Sequence, residues 1–351
     1  MYPGEYQLIG NQYSMFTRKL EAQLRFQDIP WRYQFKTLDS TPAIEQRAGT
    51  HFIPVLTTPE KWMIHDTIAI GPMLNDRFSR TPVIPATPLQ RSACFILEDF
   101  FNHWLGRTAV HTRWCYPNNV DWIGKQFAIN LILNRSIAEE TTDEELEPFS
   151  GMGEQIKDSF GMKACINTGA GPDQGDAVKG DFDKLLTALN QHLSQHRFLL
   201  GDRPCLADFA LAGACKAHFI ADPEPLSWLG EYRNMLVSYT DQFYDDNCDK
   251  APIAKGDWPC NDQLPESLSC IFDYMQSSYL NYARATLTAI NNGDKTVRYD
   301  FGFGDIESRV LKRNNMARLH VQGELKSAHA ETDRNTQAYF FGRGILEYYF
   351  S

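Results

Sequence analysis

The sequence lacks three features that would direct a chain to a membrane or to nucleic acid. None of its apolar runs approaches the roughly 20 residues that a bilayer-spanning helix needs. Its start, MYPGEYQLIGNQYSMF, has neither the basic region nor the apolar core of a signal peptide. Lys and Arg number 34 against 44 Asp and Glu, so the net charge is −10, and no basic run is available to bind phosphates. We therefore expect a cytoplasmic globular protein that binds neither nucleic acid nor a membrane.

The sequence also lacks a C-x-x-C pair, although it contains eight cysteines. Without a secretion signal, this usage indicates reduced thiols. His192 and His196 are four residues apart on a predicted helix, but they lack the glutamate of H-E-x-x-H and a third ligand. We predict no metal site.

The first eighty residues alternate between strand and helix patterns. Strands are predicted at 6–10, at 31–38 and around FIPVL and KWMI, and helices at 14–27, at 41–48 and from Asp66-Thr67 onward. Ser14 is a suitable N-cap for the first of these helices. The order predicts a βαβ unit followed by a β-hairpin and a helix.

The stretch SRTPVIPATP, at 79–88, carries three prolines and is typical of a linker between domains. Beyond it, amphipathic helices are predicted at 88–114, 121–140, 180–196, 206–221, 264–293 and 305–330, with a strand at 295–303. The predicted fold class is therefore α/β plus all-α. We expect an N-terminal domain over 1–80, a helical domain over 88–235, and a mostly helical extension over 236–351 that packs on the helical domain.

The proline in FIPVL, residues 52–56, is unusual because proline cannot donate to a β-ladder. One explanation is an edge strand that tolerates a trans proline. The other is a cis-Pro54 that leaves the backbone groups of Ile53 free to pair with an extended peptide. These residues alone leave both explanations open.

Three motifs resemble the glutathione S-transferase superfamily. FIPVL followed by HDTIAI resembles its cis-proline strand and the acidic–hydroxyl pair after it, here Asp66-Thr67. The start of the chain resembles the S-P-[FY]-x-x-K motif of bacterial members, with Ser14, Phe16 and Lys19 matching and Met15 in place of proline. FLLGDRPCLADFALAG, at 198–213, is very similar to the helical-domain signature, with Cys205 at the usual Ser or Thr position. The resemblance covers residues 5 to about 230.

This resemblance implies a thioredoxin-like glutathione-binding domain followed by a helical transferase domain, in a homodimer. It implies that glutathione is the co-substrate, held by Ile53, Pro54, Asp66 and Thr67. Ser14 would stabilise the thiolate together with the N-terminus of the first helix, or serve only as an N-cap. Tyr13 could also reach the sulfur through its hydroxyl, or it is a half-buried loop aromatic. Lys36 or His51 could contact the glycyl carboxylate.

The acceptor substrate would contact the helix over 88–114. His103, Arg107 and His111 fall on one stripe of that helix, and Trp104 lies beside it. The stripe would bind a polar aromatic electrophile, or it is an ordinary exposed helix face. Asp208 is predicted to fix a helix start.

Two functions remain open from the sequence. The first is conjugation of a glutathione thiolate to a soft electrophile, with reduction or isomerisation as variants of the same site. The absence of Cys at 13–16 argues against an enzyme thiol in disulfide exchange. The second function is non-catalytic binding or assembly on the same fold.

Overall fold

The computed structural model describes residues 4–246 and 256–351. These residues form two compact units, each built from three separate stretches of chain. Unit 1 contains the described residues of 1–82, 112–162 and 209–250, and unit 2 those of 83–111, 163–208 and 251–351. Seven cysteines in the described part are free thiols, and Cys248 lies outside it.

Unit 1 contains a four-stranded sheet formed by the first 65 residues. Its strands are β1 (Tyr6–Gly10), β2 (Trp31–Phe35), β3 (Val55–Thr57) and β4 (Met63–His65). The spatial order is β2-β1-β3-β4, with β1 parallel to β2 and antiparallel to β3, and β3 antiparallel to β4. The βαβ unit and the hairpin are therefore present in the predicted order.

The helices of this region cover both faces of the sheet: α1 (Met15–Phe26), α2 (Thr41–Ala48) and α3 (Thr67–Arg77). One face packs Leu8 and Leu56 against Leu20 and Leu24 of α1 and Ile70 of α3. The other face is smaller and packs Ile9 and Val55 against Ile44 of α2. Burial of each large apolar side chain stabilises the fold by about 1.5–3 kcal/mol, and this holds the three helices to the sheet.

Pro54 lies immediately before β3 and not inside a ladder. The Ile53–Pro54 peptide bond is cis, and pairing begins at Val55. The explanation by an edge strand does not hold, because β3 lies between β1 and β4.

The rest of the described chain is mainly helical. The helix predicted at 88–114 is continuous over that range, and the helix predicted at 121–140 begins at Pro117 and ends at Leu131. The further helices are α4 (Pro88–Trp114), α5 (Pro117–Leu131), α6 (Asp143–Leu146), α7 (Met152–Ile156), α8 (Met162–Asn167), α9 (Gly175–Leu193), α10 (Leu206–Ala214), α11 (Pro223–Trp228), α12 (Arg233–Tyr244), α13 (Ser269–Ser277), α14 (Tyr279–Asn292), α15 (Lys312–Ser327), α16 (Arg334–Phe340) and α17 (Ile345–Phe350). None of the helices within 4–246 and 256–351 has both the length and the apolar character needed to cross a bilayer.

Two predictions for the C-terminal stretch were wrong in part. The predicted helix over 264–293 is broken at Ser278, whose φ of −122° and ψ of −87° lie outside the helical region. The predicted helix over 305–330 begins as strand β6 (Asp305–Arg309), which pairs with β5 (Thr296–Asp300) in a hairpin. Ile306 and Ser308 of β6 are buried and the residues between and beside them are exposed, which is the period of a strand.

Candidate functional site

The candidate ligand-binding residues lie at one end of the four-stranded sheet of unit 1. The last residues of the parallel pair, Gly10 and Phe35, are directly opposite each other. Ile9 pairs with Val55 at the start of β3, and Val55 pairs with His65 at the end of β4. We call this the site end of the sheet.

At the site end, each strand is joined directly to one candidate segment. Lys36 follows β2, the loop to Ser14 follows β1, Ile53-Pro54 precedes β3, and Asp66-Thr67 follow β4. The order of strands therefore fixes the order of these segments across the sheet. Neighbouring strands are about 4.8 Å apart, so three spacings separate the outer segments by roughly 14 Å.

Ser14 is the N-cap of α1. Its φ of −102° and ψ of 123° are extended, and its Oγ accepts a hydrogen bond from Thr17 N at 3.4 Å. A hydroxyl that accepts in this way still has its own proton to donate. The side chain is half-buried at the start of a 12-residue helix. The geometry is thus compatible with capping and with donation to an anion at once.

The loop that presents Ser14 is held by hydrogen bonds from residues distant in sequence. Gln12 N donates to Asn130 Oδ1 at 2.8 Å, and Arg113 Nη1 donates to the Tyr13 carbonyl at 2.7 Å. Within the loop, Tyr13 N donates to Asn11 Oδ1 at 2.7 Å. Sequence reasoning did not identify Arg113 or Asn130, because no local pattern indicates a contact across about 100 residues.

Arg113 is itself fixed by a buried ion pair with Asp222. Nε and Nη2 donate to the two carboxylate oxygens, each at 2.7 Å, and Nη2 also donates to the Ala217 carbonyl at 2.6 Å. The side chains are 4% and 0% exposed. Such a bidentate pair fixes the guanidinium in one orientation, so the Tyr13 carbonyl is also fixed.

Tyr13 packs against α5. Its ring makes edge contacts with Trp122 and Phe127, at centroid distances of 5.7 and 6.0 Å, and its hydroxyl donates to Gln126 Oε1 at 2.8 Å. Burial, with a further contribution from the charge of Asp222, raises the pKa of this phenol well above its usual range. The phenol is therefore protonated at neutral pH, and its proton is already donated to Gln126.

Ile53 offers backbone groups at the centre of the site end. The residue is half-buried, Pro54 is buried, and the β3 ladder starts only at Val55. Among residues 4–246 and 256–351, no group hydrogen-bonds to the N–H or C=O of Ile53. These are the backbone groups that an added extended segment would use.

Asp66 and Thr67 form the start of α3. Asp66 caps the helix through Oδ1, which accepts from Ile68 N at 3.0 Å. Its φ of 75° is unusual for a residue with a side chain and costs on the order of 1–3 kcal/mol. Thr67 is buried and its Oγ1 accepts from the buried Lys19 Nζ at 3.3 Å. In the described ranges, the Thr67 N–H has no hydrogen-bond acceptor.

Lys36 lies at the opposite side of the site end. Its Nζ donates to Glu45 Oε1 at 2.7 Å and to the His51 carbonyl at 2.8 Å. The His51 ring is exposed and lies against Phe52, with 4.0 Å between ring centroids. Glu45 was not identified from the sequence, where it is one acidic residue of a short helix.

The stripe predicted on α4 is not an exposed helix face. Trp104 is 2% exposed, Arg107 2% and His111 1%, so the explanation by an ordinary exposed helix face does not hold. Trp104 Nε1 donates to the Tyr274 hydroxyl at 2.8 Å, Arg107 Nε to the Thr168 carbonyl at 3.2 Å, and His111 Nδ1 lies 2.9 Å from the Ala170 carbonyl. These polar atoms are bound to protein groups in the interior of unit 2. The burial follows from partners that come later in the chain.

His103 belongs to a buried network around Asp99. Its Nδ1 lies 3.0 Å from Asp99 Oδ1, and the hydroxyls of Tyr279 and Tyr349 donate to Asp99 Oδ2 at 2.8 and 2.7 Å. Burial opposes the charged imidazolium, but the Asp99 carboxylate and its hydrogen bonds raise the pKa of His103 above its usual value. The network ties α4 to α14 and to the last helix.

His192 has protein partners at both ring nitrogens. Nδ1 lies 2.9 Å from Ser267 Oγ and Nε2 lies 3.2 Å from the Phe198 carbonyl. Burial lowers the pKa of His192 to about 4. Within the described ranges, no three His, Cys, Asp or Glu side chains are grouped to hold a metal.

Asp208 has the structural position predicted for it. Its Oδ2 accepts from Cys205 N at 2.8 Å and its Oδ1 from Leu199 N at 2.9 Å, which fixes the start of α10. The carboxylate therefore satisfies the N–H of Cys205, which is the half of a capping box that does not depend on the side chain at position 205.

A comparison with known protein families finds a match in the helical part of the chain. Residues 172–236 match the family described as glutathione S-transferase, C-terminal domain. This match confirms the resemblance to the glutathione S-transferase superfamily and, with the sheet-and-helix region before it, the predicted fold class. No curated protein matches the sequence.

Several solved structures are similar to this chain at low identity. A glutathione transferase from Phanerochaete chrysosporium is 14% identical, covers 70% of this chain and 100% of its own, and has a TM-score of 0.47. A glutathione S-transferase from Ceriporiopsis subvermispora in complex with glutathione is 17% identical, over 68% and 99%, with a TM-score of 0.44. One from Methylobacterium radiotolerans in complex with glutathione sulfonate is 16% identical, over 75% and 100%, with a TM-score of 0.42. At these TM-scores the similarities carry no argument about ligand or activity.

Proposed function

We propose that this chain, which has the fold of the glutathione S-transferase superfamily, binds glutathione at the site end of its N-terminal sheet and conjugates the thiolate to a soft electrophile. The observation that carries the proposal is the order of groups along that end. A cation lies at one side, a capped helix start and unpaired backbone groups lie in the middle, and a second helix start with a buried cation lies at the other side.

Glutathione has the matching order of groups. It is an extended tripeptide with a carboxylate at each end and a thiol between them, and three extended residues span on the order of 10 Å. The roughly 14 Å between the outer strands leaves room for the terminal carboxylates to reach side chains beyond the peptide. The length and charge pattern of the ligand therefore fit the site.

The γ-glutamyl end is assigned to the start of α3. The free Thr67 N–H and the Thr67 hydroxyl would bind the α-carboxylate, and the buried Lys19 ammonium adds positive charge beside that hydroxyl. Asp66, which is exposed, would pair with the α-amino group. Its Oδ1 accepts from Ile68 N, which keeps the carboxylate at the helix start.

The cysteinyl part is assigned to Ile53 and the glycyl end to Lys36. The N–H and C=O of Ile53, with Pro54 beside them, would bind the cysteinyl backbone as an added strand does. Lys36, next to the His51 carbonyl, would face the glycyl carboxylate. The thiol then points toward the loop between β1 and α1, which contains Tyr13 and Ser14.

The chemical step requires the thiolate, because the neutral thiol is a weak nucleophile. An ordinary thiol has a pKa near ~8.5, so a hydrogen bond from Ser14 Oγ and the dipole of α1 would favour ionisation at neutral pH. The sulfur lone pair forms a bond to an electrophilic carbon, and the electron pair leaves with a halide or moves into a conjugated acceptor. Ser14 is the catalytic residue of this proposal, and the loop contacts position it.

The resemblance also implies a homodimer, and the cysteine usage indicates a cytoplasmic location; we include both in the proposal. Size-exclusion chromatography with light scattering tests the dimer, which a monomer mass would contradict.

One observation favours a second function, which is glutathione binding without conjugation. The side chains expected to select the acceptor are packed in the interior of unit 2. A chain with a complete glutathione site and no acceptor site would bind the tripeptide as a sensor or an assembly protein.

The test combines retention on glutathione-agarose with a spectrophotometric conjugation assay on 1-chloro-2,4-dinitrobenzene. The variants are Ser14→Ala and Ser14→Asp. Aspartate keeps the N-cap but cannot donate a proton and repels a thiolate, so it separates capping from catalysis. Loss of a hydrogen bond to a charged group costs about 1.5–3 kcal/mol, so we expect Ser14→Ala to lower kcat/KM by on the order of 10- to 150-fold.

The outcomes separate the two functions. A conjugation rate that falls in both variants, with retention preserved, supports the enzyme. Retention without any rate in the wild type supports the binding protein. A chain that is neither retained nor active refutes both proposals.

A further inference from the structure

The cation assigned to the glycyl end is already neutralised by the protein. Lys36 Nζ is 2.7 Å from Glu45 Oε1, and the two side chains are 10% and 36% exposed. Its other acceptor is the His51 carbonyl, at 2.8 Å. The ammonium therefore has one full negative charge and one carbonyl dipole beside it before any ligand binds.

On the other side of the site end, a carboxylate arriving at Thr67 meets the Thr67 N–H and the Lys19 ammonium, which donates to the Thr67 hydroxyl at 3.3 Å. A carboxylate arriving at Lys36 meets a cation and the anionic Glu45.

We propose that Glu45 makes this site accept thiol peptides whose C-terminal end is uncharged, such as an amide or ester, at least as well as the free acid. The inference rests on the proposed glutathione site. A free C-terminal carboxylate must displace Glu45 from Lys36 or remain beside it as a like charge. An amide removes that repulsion, and its carbonyl still accepts a hydrogen bond from the ammonium.

The size of the effect follows from the exposure of Glu45. A partly exposed ion pair is weak and screened by solvent, so Glu45 modulates the selection and does not impose it. We expect a change of up to about fivefold in relative affinity, the range that exposed charge pairs span. The difference should shrink at high salt because both the repulsion and the pairing are screened.

The test measures the affinities of glutathione and of its C-terminal amide by titration calorimetry under reducing conditions, on the full chain. The quantity compared is the ratio of the amide Kd to the free-acid Kd. Glu45→Gln leaves the Lys36 charge unopposed, so this ratio should rise by up to about fivefold.

Glu60→Gln is the matched control. Glu60 pairs with Arg77 at 3.1 Å, with side-chain exposures of 38% and 13%, so it resembles the Lys36 pair in burial and charge. It lies in the turn between β3 and β4, away from the site end. This variant removes the same charge and should leave the ratio at its wild-type value.

The outcomes distinguish this inference from the proposed function. If both ligands bind and the ratio in Glu45→Gln equals that in the wild type, Glu45 has no such role, although the glutathione site stands. If neither ligand binds to any variant, the proposed function fails and this inference fails with it. A ratio that rises equally in Glu45→Gln and Glu60→Gln reflects net charge and also overturns the inference.

Discussion

The ion pair between Arg113 and Asp222 offers the sharpest test of how the catalytic loop is held. Arg113→Met removes two charge-assisted hydrogen bonds to Asp222 and the bonds to the Tyr13 and Ala217 carbonyls. It also leaves a carboxylate that is 0% exposed without its cation. Removal of one partner from such a pair costs about 3–5 kcal/mol, so we expect that loss in the free energy of unfolding.

The interaction energy between Arg113 and Asp222 is best measured by a double-mutant cycle that combines Arg113→Met with Asp222→Asn. The double variant contains no unpaired buried charge, so its loss should be about 2–3 kcal/mol smaller than the sum of the single losses. Urea unfolding followed by circular dichroism and by tryptophan fluorescence supplies the free energies. The two probes must coincide for the cycle to apply to a chain with two units.

The matched control is Arg298→Met on the β5–β6 hairpin. Arg298 pairs with Glu307 at 2.8 Å, close to the distance of the buried pair, but the side chains are 77% and 50% exposed. This variant should not change stability measurably. Equal losses in Arg113→Met and Arg298→Met would refute the argument from burial. Arg113→Lys keeps the charge without the bidentate geometry and should fall between wild type and Arg113→Met.

The remaining predictions concern packing and pH. Gly213→Ala should destabilise unit 1 and lower conjugation, because a Cβ at that position would lie 2.6 Å from Lys19 N and Met15 O on α1; thermal unfolding checks this, and a stability equal to wild type would contradict it. The pKa of His192 is lowered by burial to about 4, so the unfolded chain binds the extra proton and stability should fall by up to about 3 kcal/mol as pH drops from about 6.5 to 4. The pKa of Asp181 is raised by burial to about 6, so its contribution has the opposite sign and stability should fall as pH rises from about 4 to 6. Urea unfolding at pH 4.5 and 6.5 checks both signs. Between these pH values, the free energy of unfolding should rise more steeply in Asp181→Asn than in wild type, and it should fall in His192→Gln. Parallel pH profiles in the two variants would show that these two groups do not cause the pH dependence of stability.

The fold of the first eighty residues could be predicted because its signals are local. The cap at Ser14, the period-two pattern of β2 and the proline before β3 each act within a few residues. The register of the paired strands then brings the predicted segments to one end of the sheet, and no long-range sequence signal is needed for this. Short-range patterns and strand pairing thus account for most of the candidate site.

The parts that could not be predicted depend on contacts across long stretches of sequence. The α4 stripe is buried because Arg107 and Trp104 find their acceptors in later segments, which helical spacing on α4 does not reveal. The same holds for Arg113, whose carbonyl acceptor lies 100 residues earlier. Glu45 was missed for a different reason, since an acidic residue in a short amphipathic helix is ordinary, and only the position of Lys36 gives it significance.

Because each unit is built from separate stretches of chain, its parts emerge from the ribosome at different times, and this delays folding during synthesis. Asp99 receives a hydrogen bond from Tyr349, 250 positions later. At about 5–20 residues per second on a ribosome, α4 emerges roughly 10–50 s before that partner exists. During this interval its apolar residues are without their native neighbours, so production of the protein should benefit from holdase chaperones.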